Sequence, residues 1–121
     1  MFQIDVMSRT PVYEQIVEQA ERFIATGILS PGAPLPSVRS LSVELSVNPN
    51  TIQKAFNELG NRGLTVSVPG KGSFVSGNAA EIIRTQNRGK SGEFKLLAKQ
   101  LFLAGAAQAE INEMVAEAIA E

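Results

Sequence analysis

The chain has 121 residues, 44% of them apolar and 19% charged, with a formal net charge of −1; that size suits one small domain with an extension, or two small units. Cysteine and histidine are both absent, which excludes disulfides, thiolate catalysis, zinc fingers and imidazole chemistry. No uncharged apolar run reaches the roughly 18 residues of a membrane span, and Met1 to Asp5 lacks the basic and apolar regions of a secretion signal, so a cytoplasmic protein with no membrane partner is expected.

Phe2, Ile4 and Val6 alternate with polar residues and predict a short extended arm. Thr10 is the expected N-cap of a first helix, with Pro11 at its first position, where a missing N–H costs nothing. Val12, Ile16, Ala20, Phe23 and Ile24 follow at helical spacing, and Gly27 ends the run. Three prolines between Leu29 and Pro36 forbid helix there and make a stiff connector. Ser37 caps a second helix with Val38, Leu41 and Leu45 inward. Ser46 and Val47 form a turn, and Asn48 with Pro49 opens a third helix.

In that third helix Ile52, Ala55, Phe56 and Leu59 make a core stripe, while Asn50, Thr51, Gln53, Lys54 and Asn57 occupy the opposite face. Gly63 is the expected left-handed stop. Leu64 to Val68 and Ser73 to Val75 read as strands joined by a glycine-rich hairpin, a wing. The result is a mainly α fold with a small β wing (α+β), a winged helix-turn-helix over residues 1–77.

Residues 78–121 read as a helical extension. Asn78 caps an expected helix through Arg88, Arg88 to Gly92 breaks the chain, a helix runs from about Glu93 to Ala104, and a last one follows Gly105. Phe94, Leu97 and Leu101, with Ile111, Met114, Val115 and Ile119, lie on amphipathic faces too small to build a core alone. A second copy of the chain is the economical partner, so these are the expected dimerisation residues and the extension a dimerisation and effector-response element.

The motifs Leu35-Pro36-Ser37-Val38-Arg39-Ser40-Leu41, Val47-Asn48-Pro49-Asn50-Thr51-Ile52-Gln53-Lys54-Ala55, Gly63-Leu64 and Gly70-Lys71-Gly72-Ser73-Phe74-Val75 together resemble the GntR family of bacterial transcription regulators. The opening Pro11-Val12-Tyr13-Glu14-Gln15-Ile16 and the short helical tail look like its YtrA subfamily, whose extension forms dimers. The resemblance implies that Arg39 contacts DNA, that Asn48, Asn50, Thr51 and Gln53 touch phosphates or bases, and that Gly70 approaches the minor groove with Lys71 and Gly72 beside it. Ser37 and Lys54 complete the expected DNA-binding set. Many relatives carry arginine where this chain has Pro49 and Gln53, so the base code differs from theirs.

Chemically, Arg39 suits a phosphate or guanine, and Asn50 and Gln53 suit adenine. The bland alternatives are an Arg39–Glu44 ion pair, a cap role for Asn48, and a merely solvated polar face. From Ser37 to Ser76 four cations face two carboxylates, a small excess for a nucleic-acid binder, which favours two copies acting together. The expected function is a dimeric repressor of an inverted-repeat operator, by resemblance one serving a transporter operon, with double-stranded DNA as partner, an unknown effector, no cofactor, no metal and no catalytic residue. A winged-helix protein-interaction module is the alternative. An enzyme is disfavoured, because Asp5 is the single aspartate and no serine or lysine sits in a nucleophile setting.

Overall fold

A computed structural model describes residues 1–120. The elements run α1 (Val12–Ala25), α2 (Val38–Leu45), α3 (Pro49–Asn61), β1 (Thr65–Val68), β2 (Gly72–Val75), α4 (Ala79–Asn87), α5 (Lys90–Leu103) and α6 (Gln108–Ala120). They fall into two compact units, Met1–Gln86 and Asn87–Glu121.

The first unit is built on α3, which packs against α1 and α2. Its fully buried large side chains are Ile16 from α1, Leu41 from α2, Ile52 and Leu59 from α3, and Leu64 at the entry to β1. Burying one such side chain contributes about 1.5–3 kcal/mol, and drawing them from successive elements fixes where each element sits. The stripe Ile52, Ala55, Phe56 and Leu59 is buried throughout.

The strands pair antiparallel, with Thr65 opposite Val75 and Val68 opposite Gly72. Lys71 N–H donates to Val68 O at 2.9 Å across Pro69 and Gly70, and Gly70 has φ 76°; proline then a left-handed glycine is the chemistry of a tight reversal. The proline-rich connector does more than set an angle. Pro34 bridges to Phe74, Leu35 N–H donates to Ser73 O, and Val75 N–H donates to Ala33 O. It therefore covers the outer edge of β2, which proline tolerates because it sits at a sheet edge.

Several local expectations are corrected. The N-cap of α1 is Pro11, with ψ 148°, and it carries no side-chain cap; the Thr10 carbonyl instead accepts from Gln15 Nε2. The alternating arm ends early: Phe2 is 5% exposed but Val6 is 83% exposed. The boundary between the two expected segments, at residues 77 and 78, is no open linker on its first side, because Ser76 is buried and its N–H donates to Leu64 O at 2.9 Å. Ala79 is fully buried, and Ile82 and Ile83 pack on the same core. Gly63 explains how α4 comes so close: at φ 78° it turns the chain, and a Cβ there would meet Ile82 Cδ1 at 3.3 Å. The break expected at residues 88–92 is shorter, since α5 starts at Lys90 and takes in Ser91 and Gly92.

The arm is held by two glutamines one turn apart on α1. Gln19 accepts from the N–H of Gln3 and donates to its carbonyl. Gln15 accepts from the N–H of Asp5 at 2.9 Å and donates to its carbonyl at 3.0 Å. One turn beyond Gln19, Phe23 meets Phe2 edge-on, centroids 5.3 Å apart. Gln15→Leu keeps the apolar stem but leaves the N–H of Asp5 without its acceptor, although the Asp5 carbonyl still accepts from Ser8 N–H, and it is expected to cost about 1–3 kcal/mol in urea unfolding, with faster amide exchange at Asp5. Unchanged stability would remove the arm from the fold's support.

The second unit is α5 and α6, which pack on each other. Neither helix buries a residue fully. Ala98, Ile111 and Val115 are half-buried, whereas Phe94, Leu97, Leu101, Met114 and Ile119 are exposed.

Candidate nucleic-acid interface

The site starts with two caps. Ser37 Oγ accepts from Ser40 N–H at 3.0 Å and so opens α2. Asn48 Oδ1 accepts from Asn50 N–H at 2.8 Å and opens α3, with Pro49 behind it. Each cap is worth about 1 kcal/mol. Between the helices Ser46 takes a left-handed conformation, φ 55°, which only glycine adopts freely. Val47 N–H donates to Ser42 O at 3.1 Å, and Ser42 Oγ donates back to Val47 O, so the sharp turn is tied from both sides.

That turn leaves one face of the two helices in solvent. Arg39, Asn48, Asn50, Gln53 and Lys54 are exposed and Thr51 is half-buried. Among the described residues Arg39 has no ion-pair partner, so the Arg39–Glu44 pair does not form. Gln53 Nε2 donates to Asn57 Oδ1 at 2.8 Å. Lys54 leans toward α1, its Nζ 3.9 Å from the centroid of the Tyr13 ring, a contact worth about 0.5–1 kcal/mol at an exposed position. The Tyr13 hydroxyl donates to Glu14 at 3.1 Å; that bond and the charge of the carboxylate hold the phenol above its usual pKa of 10.

Arg62 is committed elsewhere. It donates to Glu58 at 2.9 Å and to Glu21 at 2.6 Å, joining α3 to α1, and the two carboxylates raise its pKa. Of the four cations between Ser37 and Ser76, then, Arg62 is neutralised and Lys54 rests on an aromatic ring. Lys54 keeps its charge there, so Arg39, Lys54 and Lys71 are the cations this stretch leaves unpaired by a carboxylate among the described residues, Lys71 at the wing tip between Gly70 and Gly72, which have φ 76° and 111°.

Between α3 and the wing lies a groove of about 380 Å³, lined by Gln53, Asn57 and Asn61 on one side and Thr65, Ser67 and Ser73 on the other. The sequence places Asn57 on the polar face of α3 without a role, and Asn61, Thr65, Ser67 and Ser73 have none either. The signal for the helix side was present as a run of amides at i, i+4 and i+8. The strand side depends on hairpin docking, which no local pattern carries.

An exposed amide-bearing helix, a tied turn before it and a glycine-tipped wing after it form one ordered constellation, and residues 12–75 match the bacterial regulatory proteins of the gntR family. The chain belongs to the GntR family. Along its full length this GntR protein is 38% identical, over 125 residues, to the HTH-type transcriptional repressor YtrA of Bacillus subtilis, covering 94% of that protein. Its backbone matches a transcriptional regulator from Oenococcus oeni with a TM-score of 0.71 and 29% identity, over 96% of this chain and 97% of that one. The DNA-binding domain of AraR, solved in complex with operator ORE1, matches with a TM-score of 0.54 and 30% identity, over 63% of this chain and 93% of that one. Among the described residues of this GntR chain, no cluster of acidic side chains is arranged to hold a metal ion, and no helix is long and apolar enough to cross a membrane.

Proposed function

We propose that the chain is a cytoplasmic, homodimeric transcription repressor that binds an inverted-repeat operator through α3 and the wing, and that it is not an enzyme. The observation that carries this reading is the exposed face of Arg39, Asn50 and Gln53, standing on the buried stripe of Ile52, Phe56 and Leu59. The full-length similarity to a named repressor supports the direction of control. As in that resemblance, a neighbouring transporter operon is the expected target.

Two features support a dimer. The α5–α6 unit leaves Phe94, Leu97, Leu101, Met114 and Ile119 between 41% and 80% exposed, an apolar surface of the kind monomers rarely present. From Ser37 to Ser76 four cations face two carboxylates, an excess of only two, and phosphate neutralisation supplies most of the affinity of such proteins for DNA. Two copies double that charge and place two α3 helices in major grooves about 34–36 Å apart. An effector acts, in this reading, on the α5–α6 unit and changes the separation of the heads.

Sedimentation of the full chain with and without an operator-bearing duplex tests the proposal, together with gel shifts across a salt series. A dimer binding one duplex, with affinity falling steeply in salt, is the expected result. Lys71→Ala is expected to weaken binding to every sequence alike and to lower the salt slope by about 1 per wing. A monomer that shifts no DNA at low salt would leave the interaction-module reading in its place.

A further inference from the structure

The polar face of α3 holds a pair of carboxamides that bear on each other. Gln53 and Asn57 lie one turn apart, both exposed, with Gln53 Nε2 donating to Asn57 Oδ1 at 2.8 Å. Both line the groove between α3 and the wing, beside Thr65 and Ser73. An isolated glutamine on a helix surface samples many rotamers and must be ordered when it binds. The bond to Asn57 orders it beforehand, and a group already held in its bound geometry loses less on association.

We propose that Asn57 is a positioning residue for base recognition: it fixes the Gln53 amide so that one acceptor and one donor face a base edge, and thereby sets the preference of this helix for adenine. With one Nε2 proton given to Asn57, Gln53 keeps one Nε2–H donor and its Oε1 acceptor for a base edge. Adenine offers the complement, an N7 acceptor and an N6 donor, in the major groove. With the donor and acceptor roles of the two amides exchanged, Gln53 spends an Oε1 lone pair on Asn57 and keeps the other lone pair and both Nε2 protons, so an acceptor and a donor still face outward. Guanine, with O6 and N7 both acceptors, is mismatched to that edge. The inference rests on the DNA-reading role proposed above for α3.

The test begins with the full chain and a randomised double-stranded DNA library, from which the wild type selects a site. Affinities are then measured for the wild type, Gln53→Ala, Asn57→Ala, the double variant and Asn57→Asp, on that site and on its single base-pair changes. Gln53→Ala is expected to relax the preference at one adenine-bearing base pair, and Asn57→Ala to relax the same pair by about tenfold, within the range of one bidentate contact. The double variant should be no worse than Gln53→Ala alone. Asn57→Asp keeps an acceptor for Gln53 Nε2 and should retain the adenine preference, while its added charge lowers affinity for all sites equally. Two independent, additive losses, or an Asn57→Ala protein with undiminished adenine preference, would overturn the positioning role while leaving DNA reading intact. A wild type that selects no sequence at all would overturn both.

Discussion

Replacing Ile52 by alanine is expected to cost the first unit about 2–5 kcal/mol, the range for truncating a fully buried aliphatic side chain. Ile52 is 0% exposed and sits directly under the proposed reading face, one residue from both Thr51 and Gln53. Domains of this size hold only about 5–15 kcal/mol in total, so the loss is a large fraction of what keeps the unit folded. In urea the midpoint should fall with little change in slope. Ile52→Val removes one methylene and should cost about 0.5–1.5 kcal/mol, which separates a packing loss from a loss specific to alanine. A shift below about 1 kcal/mol for Ile52→Ala would show that the site collapses around the smaller side chain, and the stripe would then not be what sets the position of α3.

The second large effect is on binding rather than stability. Arg39→Ala combined with Gln53→Ala is expected to lower operator affinity by about 30-fold at the least and by about 20,000-fold at most, because each base or phosphate contact of this kind is worth about 1–3 kcal/mol and each 1.4 kcal/mol is a factor of ten. Both side chains are exposed, so the unfolding free energy should change by no more than about 0.5 kcal/mol. Binding at the wild-type level by the folded double variant would remove this face from the interface. The variant and Ile52→Ala form a useful contrast: one empties the surface and keeps the support, the other keeps the surface and weakens the support.

The parts of the fold that were legible in the sequence are those determined by near neighbours along the chain. Ser37 and Asn48-Pro49 announce helix starts because a capping oxygen reaches an N–H only two or three residues away. The stripe Ile52, Ala55, Phe56 and Leu59 follows from helical period alone, and Pro69-Gly70 from turn chemistry. What escaped depends on partners distant in sequence. Arg62 reaches Glu21 across 41 positions, so its loss to the DNA-facing charge has no local sign. Lys54 was expected at a phosphate, and Tyr13 from α1 competes for it. Pro34 reads as a breaker and nothing more until β2 is folded against it. Ser76-Gly77 looks like a hinge because small polar residues usually are, yet the carbonyl of Leu64 binds it to the core. Ser91 and Gly92 have weak helix propensity, and neighbours in α5 carry them.

The arm held by Gln15 and Gln19 offers a place to attach a probe. Those two amides grip only peptide groups, at positions 3 and 5, and are indifferent to which side chain hangs from them. The Gln3 side chain points into solvent, so a cysteine substituted there, in a chain that has no other thiol, would accept a single fluorophore or spin label. Proline alone is barred from that position, for want of the N–H that Gln19 takes. Labelled once per chain on the unit that carries α3, the proposed dimer would report the distance between its two heads directly, in the presence and absence of a candidate effector.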